Sequence, residues 1–94
     1  MRVTNVKLKV LEGMGRLKAA GSVCLDEELV INGVRVVEGK KGIFVALPTR
    51  KDTEGNYRSI VYALDEGLRE QIDKDVLDVY WHGYDGATQE VKYE

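Results

Sequence analysis

Arg50 and Lys51 stand side by side after the chain's one proline, Pro48, and Arg58 follows on the far side of a short polar stretch. A guanidinium presents a planar fork to two phosphate oxygens, and an ammonium presents a point charge. A hairpin over this stretch brings its two ends together, so the three cations can meet successive phosphates. On spacing alone the simpler reading is a solubilising hairpin tip, because exposed basic pairs are common.

The inventory for catalysis is thin. Cys24 is the only thiol and His82 the only imidazole. They fall on different predicted elements, with no nucleophile elbow or paired metal ligands around either. Cys24 reads as a small strand residue, and His82 as a side chain that interacts favourably with the end of a helix. Asp73, Asp75 and Asp78 read as a solvated helix face rather than a cation site. No glycine-rich loop matches a nucleotide-binding pattern. These readings exclude an enzyme, a metal and a cofactor from what the sequence predicts. Tyr57 adjoins Arg58 and can stack on an unpaired base, but packing is the simpler use of one aromatic. Tyr80 and Trp81, in acidic surroundings, are expected to bury area against the sheet or a partner subunit.

The elements that must position these residues are legible as two periods. In Val6-Lys7-Leu8-Lys9-Val10 apolar and basic residues alternate, placing the valines and Leu8 on a core face and the lysines in solvent. Leu11–Gly15 supplies glycines for a turn, and Arg16–Cys24 resumes the alternation, so the pair predicts a hairpin. Arg16 and Lys18 then lie on the face opposite Leu17 and Ala19. Leu29–Val37 is rich in β-branched residues and broken by Asn32-Gly33, which fits either a tight turn or a bulge inside a longer strand. Ile43–Leu47 is a fourth strand ended by Pro48, Thr49–Asn56 a polar loop, and Tyr57–Leu64 a fifth strand.

After Leu64 the period changes to 3.6. Asp65 and Glu66 suit a helix N-terminus, and Leu68, Ile72, Val76 and Val79 fall on one stripe. Gly83 is a natural stop, and residues 85–94, without sustained apolar period, are expected to be a polar, mobile tail. Strands followed by a helix, without strand–helix alternation, predict an α+β domain over residues 1–84. Its antiparallel sheet has about five strands, with one amphipathic C-terminal helix on one face.

Composition sets the outer bounds. Ninety-four residues accommodate one small core, and 44% hydrophobic with 32% charged residues is ordinary globular composition. Mean hydropathy is −0.29. No apolar run approaches the roughly 20 residues that cross a bilayer, and the N-terminus lacks a secretory pattern, so the expected address is cytoplasmic, away from membranes. The lone cysteine excludes an intramolecular disulfide, and a core this small makes oligomerisation a plausible source of further buried area. The net charge of −2 conceals a division: residues 1–62 carry eleven Lys/Arg against seven Asp/Glu, and residues 63–94 carry three against nine. There is room for a basic face opposite an acidic one.

The stretch from Phe44 to Ile60, preceded by Val34-Arg35-Val36-Val37-Glu38-Gly39 and Gly42-Ile43, resembles the SpoVG family, the stage V sporulation protein G or septation-regulator group of bacteria. The similarity runs from Met1-Arg2-Val3-Thr4-Asn5-Val6 through Gly15–Ala19 and Leu25-Asp26 to Ile72–Tyr80, covering about the first 82 residues. It implies a small α+β homodimer that binds DNA and RNA and regulates genes. The family's post-proline loop, Ser-Lys-Arg-Thr-Pro-Asp-Gly, has a basic pair implicated in nucleic-acid binding, and that pair falls on Arg50 and Lys51. Family basic residues before the second strand are matched by Arg16 and Lys18. Three departures stand out: the basic pair is inverted, Asp52-Thr53 replaces Thr-Pro, and Tyr62-Ala63 replaces the family's His-Pro. Asp52 partly cancels the loop charge, and loss of the proline is expected to loosen the turn.

The reading that results is a homodimeric cytoplasmic regulator that binds DNA or RNA through phosphate contacts from Arg50, Lys51 and Arg58, with Arg16 and Lys18 as secondary contacts. The alternative is a protein-interaction adaptor whose acidic helix and tail bind a basic partner.

Overall fold

The computed structural model describes residues 1–82 and 88–92. In chain order the elements are β1 (Val3–Val10), β2 (Leu17–Leu25), β3 (Leu29–Gly39), β4 (Gly42–Ala46), β5 (Thr49–Lys51), β6 (Tyr57–Ser59), α1 (Glu66–Trp81) and β7 (Thr88–Lys92). The main sheet runs β4-β3-β2-β1-β7, and β5 and β6 form a separate two-stranded ribbon. Every pairing is antiparallel. The α+β class, the antiparallel sheet and the C-terminal helix are as the sequence predicts. Two differences concern the ends of elements. The fifth strand stops at Ser59 and pairs with β5 instead of joining the main sheet. Residues 88–92, read as part of a tail, pair with β1 from Asn5 to Lys9. The expected helix stop at Gly83 lies outside the described residues.

Alternation decides which side of the sheet is core. Val6 and Leu8 of β1, Ala19 and Val23 of β2, Val34 and Val36 of β3 and Val45 of β4 are all buried on one face. The helix closes that face with Ile72, Val76 and Val79, while Leu68 packs partly buried against the same cluster. Asp65 caps the helix, its side chain accepting from the Leu68 amide at 2.9 Å, which satisfies one of the orphan N–H groups of the first turn. Arg69 donates from Nη2 to the Val45 carbonyl at 2.6 Å and from Nε to Asp73 at 2.9 Å, fixing the helix over β4. At the helix end His82 Nδ1 donates to the Asp78 carbonyl, 2.6 Å away. Trp81 meets Tyr80 edge to face, with centroids 5.0 Å apart; of the two, expected to bury area against the sheet or a partner subunit, Tyr80 packs partly buried on the core and Trp81 stays 64% exposed, away from the sheet.

Turn chemistry explains the register. Gly13 and Gly15 take φ of 72° and 67° between β1 and β2. Asn32-Gly33 is a bulge and not a turn: Gly21 pairs with Val34 and Ser22 with Asn32, leaving Gly33, at φ 82°, as the extra residue of β3. Between β2 and β3, Asp26 and Glu27 take φ of 54° and 57° without a glycine, and the Glu28 amide donates to the Leu25 carbonyl. Two left-handed residues in succession form the tight hairpin turn whose twist matches the strands. Their strain is offset by bonds to Thr4 of β1 and to Arg2 just before it. The Arg2 amide donates to Asp26 Oδ1, the Asp26 amide to the Arg2 carbonyl, and the Glu27 amide to the Oγ1 of buried Thr4.

Candidate nucleic-acid interface

Pro48 ends β4 and starts the ribbon. It lacks an N–H, but its carbonyl accepts from the Ile60 amide at 3.1 Å, closing the base of the β5–β6 hairpin. Arg35 ties that base to the main sheet, its Nη2 lying 3.3 Å from both the Leu47 carbonyl and Thr49 Oγ1. Gly33 lies beside Pro48, where a Cβ would make an ordinary contact at 3.5 Å from Pro48 Cγ, so its φ of 82° and not want of space calls for glycine. The bulge on β3 thus lies against the base of the hairpin.

Arg50 and Lys51 stand on a strand, not on the loop the sequence suggested. The cross-strand pairs are Thr49 with Ser59, Arg50 with Arg58 and Lys51 with Tyr57. Successive strand residues point to opposite faces, so Arg50 shares its face with Arg58, whereas Lys51 belongs to the row of Tyr57. Opposed residues of an antiparallel pair hold their Cβ atoms about 4.5–5.5 Å apart, and like charges at that distance repel. All of Arg50, Lys51 and Arg58 are exposed. Tyr57, at 72% exposure, is not packed into the core.

Asp52 organises the tip. Its Oδ1 accepts from the amides of Glu54 and Asn56, each at 2.9 Å, and its Oδ2 accepts from Arg58 Nε at 2.9 Å. The Asp52 amide donates to the Asn56 carbonyl, and Gly55 takes φ 87° to complete the turn. The Arg58 guanidinium, followed by the Asn56 amide, holds the Asp52 carboxyl below the ordinary carboxylate range. The turn is therefore fixed, where loss of the family proline predicts a looser one. Asp52 engages Arg58 through Nε, which leaves both terminal nitrogens of that fork to other partners. The hairpin bounds an open pocket of about 470 Å³ lined by Arg50, Lys51, Asp52, Thr53, Arg58, Ser59 and Ile60.

The five sequence candidates do not form one cluster. Arg50, Lys51 and Arg58 are together on the ribbon. Lys18 lies half-buried on β2, and Arg16 precedes that strand, where its carbonyl accepts from the Glu38 amide. Sequence reasoning missed Arg35 and Asp52 as the residues that seat and shape the hairpin. An arginine at an outward strand position next to Asn32-Gly33 was the signal for the first, and an aspartate two residues before Glu54 was the signal for the second. Among the described residues no group of three or more His, Cys, Asp or Glu side chains is arranged to hold a metal ion, and no helix is long and apolar enough to cross a membrane.

Comparison with known proteins covers most of the chain, up to the end of the described helix. Proteins carrying the name "Putative septation protein SpoVG" are 36% identical over 80 residues in Agathobacter rectalis, spanning 85% of this chain and 92% of that one. The like-named protein of Phytoplasma australiense is 39% identical over 85% of this chain and 83% of its own length, and that of Staphylococcus aureus strain JH9 is 40% identical over 85% and 80%. The SpoVG family model matches residues 1–82, and with it the chain belongs to the SpoVG family.

Proposed function

We propose that this chain is a small homodimeric DNA- and RNA-binding regulator of gene expression, acting in the cytoplasm without catalytic chemistry, in the septation process for which its relatives are named. The observation that carries the reading is the placement of Arg50 directly opposite Arg58. Two arginines at directly opposed positions of a strand pair are a poor arrangement for stability and a good one for an anion, because a phosphate between them removes the repulsion and gains charge-assisted hydrogen bonds. Lys51 adds a point charge from the neighbouring row.

Dimerisation makes such a small patch useful, since two hairpins on one nucleic acid act with the effective concentration of a linked pair. Two features support a second copy. The outer edge of β4 has no strand partner among the described residues, and Ile60, Tyr62 and Leu64 stand exposed on the segment leading to the helix. Sedimentation equilibrium at micromolar concentration is expected to give the dimer mass, and a monomer there would count against this part of the reading.

The second reading, an adaptor for a basic protein, draws on α1, which carries five Asp/Glu against two Lys/Arg. Binding of labelled DNA and RNA across a salt series separates the two. The first reading expects affinity to fall with salt and to drop for Arg50→Ala/Lys51→Ala. Absence of nucleic-acid binding by the folded protein would favour the adaptor.

A further inference from the structure

The main sheet has a second face that the helix does not cover. On β1 to β4 the side chains alternating with the core residues are those of Lys7 and Lys9, Lys18, Arg35 and Phe44, set among small or uncharged neighbours. No Asp or Glu occupies an outward position on these four strands. Pairing places Lys9, Ala20, Arg35 and Ala46 in one row across the sheet, and Lys7, Ser22 and Asn32 in the next. On β7 the register sets Thr88 beside Lys9 and Glu90 beside Lys7, so the Lys9 row is the one without an acid along its length. Strands about 4.8 Å apart put Lys9 and Arg35 roughly 10 Å from each other, with only Ala20 between, so the rows form a shallow trough with basic walls. The acidic helix lies on the opposite side of the sheet.

At one end of the trough Phe44 is 49% exposed. Its ring lies over Gly39, where a Cβ would stand 2.9 Å from the ring's Cε1, so the glycine lets the aromatic settle on the sheet with its outer side free. Lys40 and Lys41 flank it at the β3–β4 turn, both exposed. The other end of the trough runs into the hairpin, because Arg35 bonds Thr49, the neighbour of Arg50. An exposed aromatic on an open antiparallel sheet, flanked by cations, is suited to stack an unpaired base while the backbone phosphates follow the basic row. A duplex keeps its bases paired and has no use for Phe44.

We infer that the open sheet face is a track for single-stranded nucleic acid, continuing from the Arg50–Arg58 hairpin over Arg35 to Lys9 and Lys7, with Phe44 as its stacking residue. The inference rests on the nucleic-acid reading above and names the strand state and path that reading leaves open.

The test measures binding of fluorescein-labelled single-stranded RNA, single-stranded DNA and the matching duplex across a salt series, for the wild type, Lys7→Ala/Lys9→Ala, Phe44→Leu and Arg50→Ala/Lys51→Ala. Lys7→Ala/Lys9→Ala changes two exposed side chains and is expected to make the single-strand salt slope shallower by about 0.7 for each phosphate no longer neutralised. Phe44→Leu is expected to weaken single-strand binding by roughly tenfold, with much less effect on the duplex. Photocrosslinking of bromouridine-substituted RNA to the wild-type protein needs no variant and is expected to label the peptide containing Phe44. Wild-type affinity and slope in both sheet variants, with binding abolished in Arg50→Ala/Lys51→Ala, would overturn the track and leave the hairpin reading standing. A crosslink map confined to the hairpin would do the same. Loss of duplex binding equal to that of single strands would overturn the assignment to single strands. A lower sedimenting mass in Phe44→Leu or Lys7→Ala/Lys9→Ala would show that a second copy covers this face and overturn the track. Failure of the wild type to bind any of the three probes would overturn both readings.

Discussion

Arg50 faces Arg58 across the β5–β6 ribbon, and the carboxylate that restrains this like-charged pair, Asp52, bonds Arg58 through Nε at 2.9 Å. One acid bonded to one of two opposed arginines leaves a net positive charge on a strand pair only three residues long on each side. Such a ribbon owes its order to its base, where Arg35 and Pro48 hold it, and to its tip, where Asp52 accepts the Glu54 and Asn56 amides.

The tip should therefore respond to acid. Asp52 titrates below its ordinary value of 3.8 in the folded hairpin, chiefly through Arg58. A depressed carboxylate contributes order that is present above the unfolded pKa and is lost as pH falls through the folded one. Amide exchange at Glu54 and Asn56 is expected to speed up as pH is lowered below about 3.8, relative to the intrinsic rate. In Asp52→Asn, which keeps an acceptor oxygen and loses the charge, that acid-dependent step should disappear. A step of the same size in Asp52→Asn would place its origin elsewhere.

The helix is expected to be held by its stripe. Ile72 is 1% exposed among the sheet valines, so Ile72→Ala should cost about 2–5 kcal/mol through lost burial and a residual cavity. Denaturant unfolding checks this, and an unchanged midpoint would mean that the helix is not docked on the sheet as described.

Gly21 is set so close to β1 that a Cβ would stand 1.8 Å from the Lys7 carbonyl oxygen. Gly21→Ala must push the two strands apart, and a loss of at least about 1–3 kcal/mol is expected from such overpacking. Thermal unfolding of the variant at the wild-type midpoint would contradict the pairing of β1 with β2 at this point.

Thr4 offers a comparable test at the other turn. Its hydroxyl accepts from the Glu27 amide at 2.9 Å and is buried, so Thr4→Val leaves that amide without its acceptor, at a cost of about 1–3 kcal/mol. The exchange of the Glu27 amide should rise by more than that of the strand amides. Uniform exchange would show that the turn does not depend on Thr4.

These residues also mark how far the sequence could be read. Period two placed Val6, Leu8 and Val10 on the core face, of which the first two are fully buried and Val10, at the strand end, half-buried, and period 3.6 placed Ile72, Val76 and Val79 on the helix stripe, because burial on one side of an element imposes its geometry on the order of residues. Asp26-Glu27 carries no glycine, so its left-handed turn was invisible without the bonds from Arg2 and Thr4, which come from more than twenty positions away. Thr88–Lys92 has β-branched residues only at Thr88 and Val91 and gains its strand from the edge of β1, a tertiary effect that local propensity does not contain. For the candidate site, the three cations were legible as types. Their division between two faces was not, because three strand residues give too short a pattern to separate a strand from a loop.

The central claim is that Arg50 and Arg58 are placed for an anion at the expense of the ribbon itself. Unfolding and nucleic-acid binding of Arg50→Ala, measured on the same preparation across a salt series, test it most directly. Removing one of two opposed guanidinium groups is expected to leave the denaturation midpoint unchanged or slightly higher, since surface changes of this kind usually fall within about 0.5 kcal/mol and here a repulsion is relieved. Affinity should fall on every sequence tested, with the salt slope shallower by about 0.9 for each duplex phosphate no longer neutralised, or about 0.7 on single strands. A folded Arg50→Ala protein with wild-type affinity and a parallel salt slope would contradict the claim and return the pair to an exposed, solubilising hairpin.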